Sequence, residues 1–87
     1  PEPVLGVKSV ILDSPPRKIG NGEHFQFSFH NGNGFIRGIA WRMGEHVPPQ
    51  TTELDLAFKL RRNYWNGSSS LQLVLEDWKL SETSDRR

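Results

Sequence analysis

Cations and aromatic rings stand close together in one stretch of this chain. Lys59, Arg61 and Arg62 are followed at once by Tyr64 and Trp65. Cationic side chains neutralise phosphates, and flat rings stack on bases with little regard for sequence. Arg37 and Arg42 lie on a second segment, and Arg17 and Lys18 on a third. Together these nine residues, Arg17, Lys18, Arg37, Arg42, Lys59, Arg61, Arg62, Tyr64 and Trp65, are the candidate nucleic-acid-binding set. Consecutive strand residues point to opposite faces. At least one of Arg61 and Arg62 is therefore expected at the ligand. Tyr64 and Trp65 have a competing role, since loop aromatics also plug the ends of small barrels.

Catalytic chemistry finds no comparable grouping. Hydrolysis needs paired carboxylates, a metal cluster, or a nucleophile beside a base. Asp13, Glu45, Asp55, Glu76 and Asp77 are scattered over strand ends and loops. His24 and His30 share a strand face, but six positions of extended chain separate them by about 20 Å, too far for one metal. His46 stands alone in a loop. No glycine-rich loop leads into a helix to cradle phosphate. No catalytic residue, metal ligand set or cofactor is expected in these residues.

Composition narrows the class. Eighty-seven residues make one domain, with residues 1–80 as its body and 81–87 as a flexible polar tail. Eleven Lys and Arg against ten Asp and Glu leave a net charge of +1, so any electrostatic footprint is local. There is no cysteine, which removes disulfides and thiolate metal sites and fits a reducing, cytoplasmic compartment. No apolar run approaches the roughly 18 residues that span a bilayer, and no membrane partner is expected. The missing initiator Met is expected either from a piece of a longer protein or from processing.

The elements that must position the candidate residues are strands. Period-two alternation recurs and is cut by Gly, Asn and Pro. Five strands are expected: 4–13, 23–30, 35–43, 53–62 and 71–78. Phe25, Phe27 and Phe29 share one face of the second and are expected in the core, as are Trp41 and Trp78. Gly38 inside the third suggests a bulge or a tight bend. Residues 14–22 read as a loop carrying Arg17 and Lys18, residues 31–34 as a tight hairpin, and residues 63–67 as another hairpin loop. Five strands without disulfides must protect their edges, and closing into a barrel does so. The expected fold is an all-β, five-stranded Greek-key barrel of the OB type, with an SH3-like barrel as the nearest competitor. Residues 44–52 leave room for little or no helix between strands three and four. Gly34-Phe35-Ile36 is similar to a piece of the cold-shock RNA-binding motif, but the aromatic continuation is missing and we treat the match as chance.

Several stretches together resemble the OB domain of RecJ-type exonucleases, bacterial enzymes of the DHH phosphoesterase superfamily. Pro1-Glu2-Pro3-Val4 is similar to the entry of that domain, and Gly38-Ile39-Ala40-Trp41 to its third strand. The most specific part is Asn63-Tyr64-Trp65-Asn66-Gly67 followed by Leu71-Gln72-Leu73-Val74-Leu75-Glu76-Asp77. The resemblance covers the chain to Trp78. It implies a parent enzyme that degrades single-stranded DNA from the 5′ end in DNA repair and recombination. Mn²⁺ or Mg²⁺ would be held by Asp and His clusters in other domains. This domain would hold the single strand beside the parent's catalytic core. Ser68-Ser69-Ser70 departs from the pattern, since members often carry Arg or Glu there, and leaves one phosphate contact unfilled. The alternative role is a docking module whose polar strand faces meet the catalytic core or another protein, with Trp65 as anchor and no contact with nucleic acid.

Overall fold

The structure, a computed structural model, describes residues 2–32 and 34–82, with Trp65 described by its backbone alone. Six strands form one sheet: β1 (Leu5–Val10), β2 (Arg17–Ile19), β3 (His24–Asn31), β4 (Gly34–Ala40), β5 (Leu54–Trp65) and β6 (Ser68–Leu80). Their order across the sheet is β1-β5-β6-β4-β3-β2. Neighbours run antiparallel except β4 and β6, which meet in parallel through Gly38–Leu73 and Ile39–Val74. Beyond β1 the chain crosses to the outer edge of β3. There Leu12 bridges Phe29, and the Asp13 N–H donates to the Ser28 carbonyl at 3.1 Å. The first segment thus touches both ends of the sheet, which curls into a partly open barrel.

Alternation fixes which face is inside. Phe25, Phe27 and Phe29 of β3 are buried and meet Leu12, Ala40, Leu54, Leu56, Leu73 and Leu75 in the core. Two irregularities keep that face in phase. Ser9 adopts a positive φ of 62° while the register slips between Val7 and Val10, so both Val7 and Val10 pack against the core. In β6, Glu76 is an extra residue between the pairs Phe58–Leu75 and Ala57–Asp77. Strict alternation from Leu75 would turn Asp77 inward; the bulge turns Trp78 inward in its place. Trp78 then packs against the core as expected, its indole N–H donating to the His46 carbonyl at 2.8 Å and its ring stacked on His46 at 4.3 Å. Among the described residues there is no helix. Met43 and Val47, from the irregular connection between β4 and β5, fill the barrel end instead.

Four expectations need correction. Arg17 and Lys18 lie not in a loop but in β2, a three-residue strand that pairs with His24–Gln26. It makes six strands where five were expected, because three residues are too few for alternation to register. Gly38 marks no bulge, since the β3–β4 ladder runs unbroken from Phe25–Ala40 to Asn31–Gly34. Its reason is close approach: a Cβ there would stand 2.7 and 2.8 Å from two Phe27 ring carbons. Trp41 is not core but 48% exposed. Asn63, Tyr64 and Trp65 are not loop but the end of β5, and only Asn66 and Gly67, both at positive φ, make the turn.

Candidate nucleic-acid interface

Cross-strand pairing carries side-chain direction from one strand to the next. Starting from the buried Phe face, every second residue of β3 and its partners belongs to the opposite, outer face. One row of that face runs Lys59, Val74, Ile39, Gln26, Arg17 through paired positions on β5, β6, β4, β3 and β2. The next runs Arg61–Gln72 on β5 and β6, then Arg37–Ser28 on β4 and β3. Four of the expected cations, Arg17, Arg37, Lys59 and Arg61, therefore share one surface. Ile39 and Val74 lie at its centre and are buried there, outside the inner core cluster. Long side chains flank them in the row, and such stems cover apolar surface while their heads stay wet.

Between the two rows lies a polar groove of about 600 Å³ lined by Ser14, Arg17, Gln26, Ser28, Arg37 and Gln72, among others. Arg17 donates to the Gln26 side-chain oxygen, which fixes its head over the sheet. At one rim Asp13 accepts from Ser28 Oγ at 2.5 Å and from Ser14 Oγ at 3.3 Å, and His30 Nδ1 lies 3.4 Å away. Guanidinium forks and amide side chains converging on one groove suit phosphate and base edges better than an apolar ligand.

Two exposed rings frame the same face. Phe35 is 50% and Trp41 48% exposed. Both keep the alternation of Arg37 and so face outward, Phe35 near the start of β4 and Trp41 just past its end. A histidine of β3 stands beside each: His30 at 5.4 Å from Phe35 and His24 at 5.0 Å from Trp41, both steeply inclined. Arg37 lies 5.4 Å from the Phe35 ring centre. The His24 Nδ1 accepts from the Arg42 backbone N–H at 2.8 Å, which holds the turn that carries Trp41. Neither ring belongs to the candidate set drawn from the sequence. Their signal is the glycine and alanine on the other side of β4. Gly38 and Ala40 leave room for the Phe cluster, so the small residues are the inner ones and the aromatic ones face out.

The remaining candidates fall elsewhere. Arg62 and Tyr64 lie on the face of the β5–β6 hairpin opposite Arg61, with Arg62 donating to Ser69 Oγ at 3.2 Å. Lys18 pairs with Phe25 and so faces away from Arg17. Arg42 sits in a separate depression with Glu23 and Glu45. The side chain of Trp65 lies outside the described residues. No three His, Cys, Asp or Glu side chains converge as metal ligands among the described residues. Among the described residues no helix is long and apolar enough to cross a membrane.

The arrangement defines a class of domain. The first segment pairs with both β5 and β3, β4 and β6 run parallel, and the short β2 guards the edge; this is an OB fold. A protein-family model described as the RecJ OB domain matches residues 1–77, and the chain belongs to that family. RecJ from Thermus thermophilus, in crystal structures with Mn²⁺ and with Mg²⁺, is similar at 26% identity with TM-scores of 0.64 and 0.63. Each match covers 95% of this chain and 12% of the RecJ chain. The fold is also that of Rim1, a mitochondrial single-stranded DNA binding protein of S. cerevisiae, at 9% identity and a TM-score of 0.63, covering 98% of this chain and 99% of that one. No curated protein matches the chain.

Proposed function

We propose that this domain binds single-stranded DNA across the outer face of its sheet, as the accessory OB domain of a RecJ-type enzyme. The observation that carries the reading is the gathering of Arg17, Arg37, Lys59 and Arg61 on one face with two exposed rings. The cations take phosphates, Gln26 and Gln72 offer hydrogen bonds to base edges, and Phe35 and Trp41 offer stacking surfaces. Six positions of extended chain, about 20 Å, separate the rings, so they serve different bases. The parent is proposed to be a bacterial, cytoplasmic 5′–3′ single-strand exonuclease of DNA repair and recombination. Hydrolysis, and the use of Mn²⁺ or Mg²⁺, the ions present in the similar RecJ structures, would belong to its catalytic domains.

The test is a fluorescence titration of a labelled single-stranded oligonucleotide at low and at moderate salt. Phe35→Ala and Trp41→Ala are each expected to weaken binding by about 1–3 kcal/mol, the worth of one stacked base. No saturable binding at low salt, or full affinity after both substitutions, would sink the proposal.

A further inference from the structure

The barrel is open at one end, and what lines the opening is mostly apolar. After Gly38–Leu73 and Ile39–Val74, β4 and β6 make no further pairs toward the hairpin end, whereas β5 and β6 continue together to their turn as an arm. The gap is a groove of about 390 Å³ lined mainly by Leu5, Val7, Phe29, Phe58, Leu60 and Leu71; Phe35 and Arg37 also border it, so its β4 rim adjoins the proposed strand-binding face. Three of its leucines stay well exposed: Leu5 at 40%, Leu60 at 42% and Leu71 at 57%. Further out, the same inner side of the arm carries Arg62 and Tyr64, the latter 77% exposed. Among the described residues no carboxylate pairs with Arg62. Three exposed leucines beside a cation have the composition of a protein contact, an apolar centre with a polar rim.

We infer that this mouth and the inner side of the arm dock onto the remainder of the parent polypeptide, on a surface that offers apolar side chains and a carboxylate to Arg62. The consecutive arginines then serve different partners: Arg61 the nucleic acid on the outer face, Arg62 the protein on the inner one. The occupant follows from the proportions of the relatives. This chain corresponds to 12% of the RecJ chains it matches, so most of such a polypeptide lies beyond it. A tethered surface also competes at high effective concentration against any free one. The inference rests on family membership and not on strand binding.

Limited proteolysis of the full-length parent enzyme tests it, with release of this domain as the readout. Leu71→Asp and Arg62→Ala should each speed release at least tenfold, while Arg61→Ala leaves it unchanged. Arg62→Ala alters an exposed residue and keeps the test valid if Leu71→Asp compromises folding. Unchanged release in both variants overturns the inference. So does a dimer of the 87-residue chain, seen by sedimentation, that Leu71→Asp dissolves, because a second copy would then be the occupant. Oligonucleotide titrations of the same variants separate the two surfaces. Arg61→Ala should lose affinity and Arg62→Ala keep it, and a failure of strand binding altogether leaves the proteolysis result standing.

Discussion

At the scale of single residues, Gly38 has the least freedom to change. The Phe27 ring lies over it where a side chain would begin. Gly38→Ala forces the ring or the β3–β4 ladder to move, and overpacking of this kind costs about 1–3 kcal/mol. The expected result is a lower urea midpoint with an unchanged slope. Asp55 makes a different prediction. Its carboxylate accepts from the Ser81 hydroxyl at 2.6 Å and from the Ser9 N–H at 3.1 Å, with Lys79 and Lys8 nearby. The Ser81 bond first and the Ser9 bond second hold its pKa below the ordinary 3.8; desolvation opposes them, and Lys79 and Lys8 add smaller help. A depressed carboxylate stabilises the fold above the unfolded-state pKa, and that share is lost as pH falls through the folded-state value. Acid unfolding below about pH 4 should therefore become shallower in Asp55→Asn than in the parent chain. The sequence pattern puts Ser81 in a free polar tail, yet it also donates its N–H to the Glu53 carbonyl at 2.9 Å. Residues 83–87 of that tail lie outside the described residues.

At the scale of elements, legibility follows length and regularity. The strand of three phenylalanines is plain, because three large apolar residues at every second position admit one buried face. The irregular connection expected at residues 44–52 is also foreseeable, since Pro48 and Pro49 interrupt any helix, but it begins earlier than expected, because β4 ends at Ala40 and not at Met43. Bulges are not: nothing in Lys8-Ser9 or Glu76-Asp77 announces an extra residue, yet each shifts which side chains face inward. The candidate site is half legible for the same reason. Basic residues can be named one by one, but their gathering on one face depends on the register of five strands. Adjacency in sequence groups Arg62 and Tyr64 with Arg61, whereas pairing with Leu71 and Ser69 turns them the other way. The arm that carries them ends in a two-residue turn with Asn66 at φ 50° and Gly67 at φ 81°. Gly67→Ala places a Cβ in that left-handed conformation at a cost of roughly 1–2 kcal/mol. The arm projects past the barrel, so hydrogen exchange along residues 62–71 should accelerate while the thermal midpoint shifts little.

At the scale of the whole molecule, the charges nearly cancel, and the proposed binding must depend on their placement. Four cations on the outer face predict a measurable salt law. At about 0.7 counterions released per neutralised phosphate of a single strand, log affinity against log salt should have a slope near −3. Arg37→Ala and Arg61→Ala should each flatten it by about 0.7, whereas Arg42→Ala, beside Glu23 and Glu45, should leave it unchanged.

The short parallel seam between β4 and β6 also has a kinetic consequence. The β3–β4 and β5–β6 hairpins each zip up from their own turns, an event of about 1–10 μs. Joining them demands that Gly38 find Leu73, and that Leu5 find Phe58, across long intervening loops whose closure entropy is lost before many bonds form in return. Assembly should then be slow for so small a chain, in the millisecond-to-second range of barrels dominated by distant pairings. The nucleus would sit at the seam, where truncating Leu73 should retard refolding more than it hastens unfolding.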